Sequence, residues 1–184
     1  MTEQIVDFMQ TLSTGVYVIG VCDGERTNAF TASSVVPVSF KPVVVAVAVG
    51  VDHASRPLIR AGRSFTINVL KRDQIEMASH FGTVSGRQTN KLAGVRWRPG
   101  LSGAPILVDT LAYIECELAT VVPAGDHELV LGKVVDGAVL AHDEQPLLYR
   151  DTCNLDGARD LYPAELESSQ LARDVRAHPF TVRC

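Results

Sequence analysis

The chain of 184 residues has no surplus of positive charge: 17 lysines and arginines stand against 21 aspartates and glutamates, a net charge of −4. A nucleic-acid-binding role, which needs many cationic contacts to phosphate, starts disfavoured. There is no CxxC pair and no histidine at ligand spacing. Cys22, Cys116, Cys153 and Cys184 lie far apart, so neither a metal site nor a disulfide framework is signalled, and buried or incidental thiols are expected. No apolar run is long enough to span a bilayer. "PVVVAVAVGV" is too short and too rich in β-branched residues, and reads as a buried strand. The N-terminal stretch "MTEQIVDFMQTLSTG" lacks the apolar core flanked by positive charge of a signal peptide, so a soluble cytoplasmic protein with no membrane partner is the default expectation. Neither a P-loop nor a GxGxxG fingerprint occurs, no GxSxG elbow marks a nucleophilic serine, and no internal repeat is present.

What is present is a succession of strand signals. Residues 2–13 carry Ile5, Val6, Phe8, Met9 and Leu12 at helical spacing, which predicts a short opening helix. "GVYVIGVCDG" reads as a strand closed by the Asp23-Gly24 turn signal, and "RTNAFTASSVVPV" resumes extended structure. "KPVVVAVAVG" follows as a strand buried on both faces, and "SFTINVL" as a third clear strand. Between them, "DHASRPLIRAG" predicts a loop and a short helix ending at Gly62, and "RDQIEMASHFG" predicts a helix ending at Gly82. "VSGRQTNKLAGVRWRPGLSGAP" is polar and rich in glycine, and is expected to be an ordered loop. Two long alternating stretches, "LVDTLAYIECELATVVPAG" and "HELVLGKVVDGAVL", predict an antiparallel pair. Six or so strands with few helices point to an antiparallel barrel or sandwich. Past Tyr149 the pattern dissolves, and "PAELESSQLARDVRAHPF" is compatible with a C-terminal helix.

Three stretches could carry chemistry. Thr31-Ala32-Ser33-Ser34 puts hydroxyls and bare backbone at a strand end, suited to the polar edge of a flat heterocycle and equally to an ordinary surface strand. His127 falls between a glycine-containing turn and a long strand, where an imidazole can meet a ligand or simply be solvated; Asp126 beside it can orient the ring or cap the turn. The loops "HASR" at 53–56 and "SGRQTNK" at 85–91 offer serines, arginines and a lysine, groups that hold phosphate and also decorate solvated loops.

The order of these pieces is more specific than any one of them. "TNAFTASSVVPVSFKPVVVAVAV", "SFTINVL", "MASHFG", "NKLAG", "GAPILVDTLAYIECEL", "AGDHELVLGKV" and "PLLYR" together resemble the flavin reductase-like family with the FMN-binding split-barrel fold. The resemblance covers about residues 8–150. It implies a mainly β fold, a six-stranded antiparallel split β-barrel with a few peripheral helices over residues 1–150, followed by a partly helical extension over 151–184. It further implies a homodimer that binds FMN or FAD and takes hydride from NADH or NADPH, supplying reduced flavin to a partner flavin-dependent monooxygenase. Carried onto this chain, Thr31, Ala32, Ser33 and Ser34 would meet the isoalloxazine, with Val38 and Ser39 from the next turn. Ser55, Ser85 and Lys91 match positions that hold the flavin phosphate in similar proteins, and Asn68 sits in a motif lining the same cleft. His127 matches a histidine lying near the nicotinamide. Hydride transfer between two cofactors asks the protein chiefly for positioning, so no hidden acid or base is required. The split barrel also hosts flavoproteins that keep their flavin and act on an organic substrate, and non-catalytic modules binding flavin or haem.

Overall fold

The computed structural model describes residues 9, 11–12, 14–87, 89–155 and 157–162. The chain divides into two units, one of residues 13–156 and one made of residues 1–12 and 157–184. In the smaller unit Ala158–Leu161 forms a 3-10 turn. The helices expected over 2–13 and 163–180 fall almost wholly outside the described residues.

Among its described residues the larger unit holds nine strands: β1 (Tyr17–Cys22), β2 (Thr27–Ala32), β3 (Val35–Phe40), β4 (Val43–Gly50), β5 (Ser64–Val69), β6 (Trp97–Pro99), β7 (Pro105–Leu107), β8 (Ala112–Ala124) and β9 (His127–Val139). Two helices, α1 (Arg56–Gly62) and α2 (Ile75–Thr83), flank β5 in the chain. Seven strands form one sheet in the order β2-β1-β5-β8-β9-β4-β3, and β6 pairs with β7. Every pairing is antiparallel. The mainly β, antiparallel class implied by the sequence is therefore what the chain adopts, with seven strands in the main sheet where six were expected. The extra strand arises because the stretch read as one extended run breaks at Ser33–Ser34 into β2 and β3. The stretch expected to be an ordered loop also contributes the short β6–β7 hairpin.

The two edge strands, β2 and β3, are consecutive in the chain. A sheet whose edges are neighbours in sequence curls on itself and leaves a seam between β2 and β3, and the Ala48 N–H, donating to the Ser34 carbonyl at 3.0 Å, extends the β3–β4 ladder up to it. Local chemistry sets the ends of the elements. Asp23 Oδ1 accepts the Arg26 N–H at 2.8 Å, closing the β1–β2 turn, where Gly24 takes a φ of 96°. Pro57 occupies the first turn of α1, where its missing N–H costs nothing.

Because side chains alternate along a strand, β1 feeds two cores at once. Ile19 and Val21 point into the barrel with Phe30, Val47, Phe65, Ile67 and Leu118. Val18, with Val16 just before the strand, points outward to meet Ala78 and Phe81 of α2, with Leu70, Leu107 and Leu147. The middle of β4 is buried as its apolar run predicts, Val45, Ala46 and Val47 being 6%, 4% and 1% exposed. Gly132 of β9 faces Phe65 so closely that a Cβ there would overlap the ring. Cys22 and Cys116 are buried thiols and Cys153 is exposed.

Candidate functional site

Three cavities share walls on one side of the barrel, alongside β2. The largest encloses about 600 Å3 and is bounded by Asn28 of β2, Ala54 and Pro57 at the start of α1, and Arg87 and Lys91 of the loop after α2. A second of about 260 Å3 adds His53, Phe81 and Ser85, and a third of about 380 Å3 lies between His53, Arg56 and Arg87. The segments "HASR" and "SGRQTNK", 53–56 and 85–91 in sequence, thus face each other across one cleft. Arg87 Nη2 donates to the Asp52 carbonyl at 3.4 Å, bridging the two loops.

Each wall has a local cause. At Gly86 the loop backbone runs against the Asn28 amide, where a Cβ would overlap it, so glycine is what lets the loop close on β2. Asn28 Nδ2 donates to Ser55 Oγ at 3.1 Å, tying β2 to the start of α1. Ser55 is 0% exposed. Ser85 is exposed on the opposite loop, its Oγ accepting the Arg87 N–H at 3.3 Å. Lys91 reaches inward and is 3% exposed, its Nζ donating to the Phe81 carbonyl at 2.9 Å. Burial lowers the Lys91 ammonium to about 8, which leaves it charged at neutral pH and short of compensating anions. The His53 ring packs on Phe30 with centroids 4.4 Å apart. Burial, then the Lys91 and Arg87 charges, push its pKa down to about 4, so the ring is neutral at pH 7. The cleft is therefore polar and cationic, a place for an anion with several oxygens.

The seam lies next to this cleft along β2. The Thr31 hydroxyl donates to the Ala78 carbonyl of α2 at 2.7 Å, fixing the helix against the strand end. Ala32 packs on the barrel core, and Ser33 and Ser34 form the crossing to β3, with Ser34 exposed. Ser34 meets Ala48, and two residues along β4 Gly50 pairs with His127 of β9. A two-residue step along a strand is about 7 Å, so His127 stands at the same end of the barrel as the Ser33–Ser34 crossing. The Val51 N–H donates to the Asp126 carbonyl at 3.0 Å, anchoring the "HASR" loop to the turn that carries His127. His127 Nδ1 lies 2.8 Å from Asp126 Oδ1, so the neighbouring carboxylate orients the ring, and that contact holds the Asp126 carboxyl below its usual range.

Other expected residues lie elsewhere. Asn68 is 0% exposed and its amide is taken up by backbone: Nδ2 donates to the Val18 carbonyl at 2.9 Å and the Pro105 carbonyl at 3.2 Å, and Oδ1 accepts the Leu107 N–H at 2.8 Å. It joins β1, β5 and β7 from inside the protein. Val38 sits at a bulge in β3, 52% exposed, and Ser39 pairs with Val44, four residues from the Ala48 contact. Neither is brought beside the Ser33–Ser34 crossing within this chain. Sequence reasoning did not single out Asn28 or His53, and Arg56 and Arg87 entered it as the arginines of the two polar loops. Only the presence of three of them in the polar loops hinted at a role. Arg56 and Arg60 of α1 both bind Glu128, the residue after His127, which they hold down to about 2.

Residues 9–155 match the model of the flavin reductase like domain. The high molecular weight rubredoxin of Moorella thermoacetica is 36% identical over 143 residues, which are 77% of this chain and 62% of that protein. The chain thus spans under two thirds of that relative's length. Among solved structures, the NADH:FAD oxidoreductase SgcE6 of Streptomyces globisporus superposes with a TM-score of 0.75 at 28% identity, over 82% of this chain and 89% of that one. Nitrilotriacetate monooxygenase component B from Mycobacterium thermoresistibile gives a TM-score of 0.72 at 30% identity, over 81% of this chain and 83% of that one. A barrel seamed between consecutive strands, a cationic cleft beside the seam and a match over most of the chain agree: the protein belongs to the flavin reductase-like family.

Proposed function

We propose that the protein is an NAD(P)H:flavin oxidoreductase that reduces FMN or FAD and supplies the reduced flavin to a partner flavin-dependent monooxygenase. The observation that carries this reading is the convergence of two loops into one cationic cleft beside the seam. A flavin bears a flat ring and a phosphate some distance apart, and the strand β2 runs from one candidate contact to the other. Ser33 and Ser34, with the backbone of Thr31 and Ala32, are placed to meet the polar edge of a ring. Ser55, Ser85 and Lys91 are assigned to the phosphate end, Ser55 through the wall it builds with Asn28. Asn68 acts as a positioning residue that holds β1, β5 and β7 in register. His127, steered by Asp126, is assigned to the nicotinamide. When bound, the flavin would supply the redox chemistry by accepting a hydride. This chain's own residues bind, orient and exclude water.

The exposed apolar edge formed by Val36, Val38, Phe40 and Val43 supports a homodimer through β3. Val38 and Ser39 would then belong to an interface. The similarity to an NADH:FAD oxidoreductase and to a monooxygenase component supports the hydride donor and the partner class.

NADH oxidation by the purified, desalted protein is the test. Activity that is absent without added FMN or FAD and saturates with it is expected. A second reading, a domain that keeps its flavin within a longer redox protein, is favoured by the similarity to a rubredoxin longer than this chain. Protein that stays yellow through desalting and ignores added flavin would support that second reading instead.

A further inference from the structure

We propose that His53 binds a flavin phosphate oxygen as a neutral donor, through the Nε2–H that its surroundings fix in place. This rests on the reading of the cleft as a flavin-phosphate site. Three contacts constrain the ring. The Ser55 backbone N–H donates to Nδ1 at 3.2 Å, so Nδ1 is an acceptor and the proton of a neutral imidazole must sit on Nε2. Phe30 holds the ring plane from the barrel side, with centroids 4.4 Å apart. The charged groups around the ring are Lys91 and Arg87 from the opposite loop, Asp52 next in sequence, and Arg56, whose charge Glu128 balances. Burial first, and then the Lys91 and Arg87 charges, keep the ring neutral.

The remaining ring N–H has no acceptor among the described residues. His53 lines two cavities together with Arg87, one of which is also lined by Lys91 and Ser85. A phosphate monoester carries close to two negative charges at neutral pH. Lys91 and Arg87 already match that charge, so a third cation would add desolvation cost with little gain, whereas a fixed neutral donor adds a directed hydrogen bond. A tautomer locked by a backbone N–H also cannot turn its lone pair toward the anion. The sequence motif supplies both halves of the device, since His53 and Ser55 are two residues apart in one turn.

The test compares FMN with riboflavin, which lacks the phosphate, by fluorescence titration of the full chain. His53→Phe keeps a flat ring against Phe30 and removes the donor; His53→Gln keeps a donor. For His53→Phe the FMN dissociation constant is expected to rise about tenfold with riboflavin unchanged, and His53→Gln should stay within about threefold of the parent protein. An unchanged FMN-to-riboflavin ratio in His53→Phe, or an equal loss in His53→Gln, overturns the proposal. Equal affinity of the unaltered protein for FMN and riboflavin overturns the phosphate reading of the cleft itself. If His53→Phe does not fold, nitrogen-resolved NMR of the unaltered protein decides: the His53 Nε2–H signal should shift with FMN and not with riboflavin, and a signal that FMN leaves in place overturns the assignment.

Discussion

Arg56 grips Glu128 with two nitrogens, Nε and Nη2 each 2.7 Å from a different carboxylate oxygen, and so ties the first turn of α1 to the strand that begins with His127. The pair couples the segment that carries Ser55 to the strand start that carries His127. With Arg60 it holds the Glu128 carboxyl at about 2, well below its ordinary 4.5. A depressed acid stabilises the fold above its unfolded pKa and loses that contribution as pH falls through the folded value. Melting temperature should therefore drop between pH 4.5 and 2 more steeply in the unaltered protein than in Glu128→Gln, read by circular dichroism across that range.

Lys91 poses the opposite case. Its pKa of about 8 lies below the ordinary 10.5, so between those values the unfolded chain binds more protons and stability rises with pH. Lys91→Met should remove that rise and melt a few degrees higher at pH 7, while binding FMN about tenfold more weakly. In the unaltered protein FMN affinity should fall as pH rises through about 8. Thermal melts and flavin titrations on the same preparations check both halves.

His127→Ala should raise the KM for NADH about fivefold and leave flavin affinity within about twofold, the pattern of a group that touches only the nicotinamide. Steady-state kinetics at saturating flavin, with a parallel flavin titration, separate the two. An unchanged KM argues against the nicotinamide role.

Asn68→Leu should cost about 3 kcal/mol, because it removes the side-chain partners of the Val18 carbonyl and the Leu107 N–H inside the protein, while the Pro105 carbonyl keeps the Thr66 hydroxyl. Urea denaturation measures it. The FMN-to-riboflavin preference of the folded fraction should not change, since this amide is occupied by backbone.

Phe40 is 90% exposed at the end of an apolar edge strand. Phe40→Asp should convert a dimer to a monomer in sedimentation velocity, with little change in the melting temperature at low protein concentration. A parent protein that sediments as a monomer contradicts the proposed dimer.

The parts of the fold that were legible in the sequence are those governed by local chemistry. Alternation along Phe65, Ile67 and Val69 marked β5, Asp23-Gly24 marked the β1–β2 turn, and Gly62 marked the end of α1. The break at Ser33–Ser34 was not legible, because both serines accept extended backbone and the break is marked only by backbone contacts, the Val35 N–H to the Ser33 carbonyl and the Ala48 N–H to the Ser34 carbonyl. The β6–β7 hairpin escaped because three-residue strands in a glycine-rich segment leave no periodicity, and Leu107 is held by Asn68 from far away in sequence. In the site, the serines, arginines and lysine of the two loops could be suspected of holding an anion from composition. That they face each other depends on Gly86 lying against Asn28, a contact 58 positions apart that no local pattern encodes.

Much of the cleft is furnished by two loops set against the start of β2 and the first turn of α1, while the strands point their bulk into the two cores. Exchanging side chains at positions such as Ala54, Arg87 or Thr89 would remodel ligand preference without removing an atom from either core. Such a layout separates the inheritance of a stable frame from the tuning of what it holds, and lets one barrel be refitted for new redox partners by small steps.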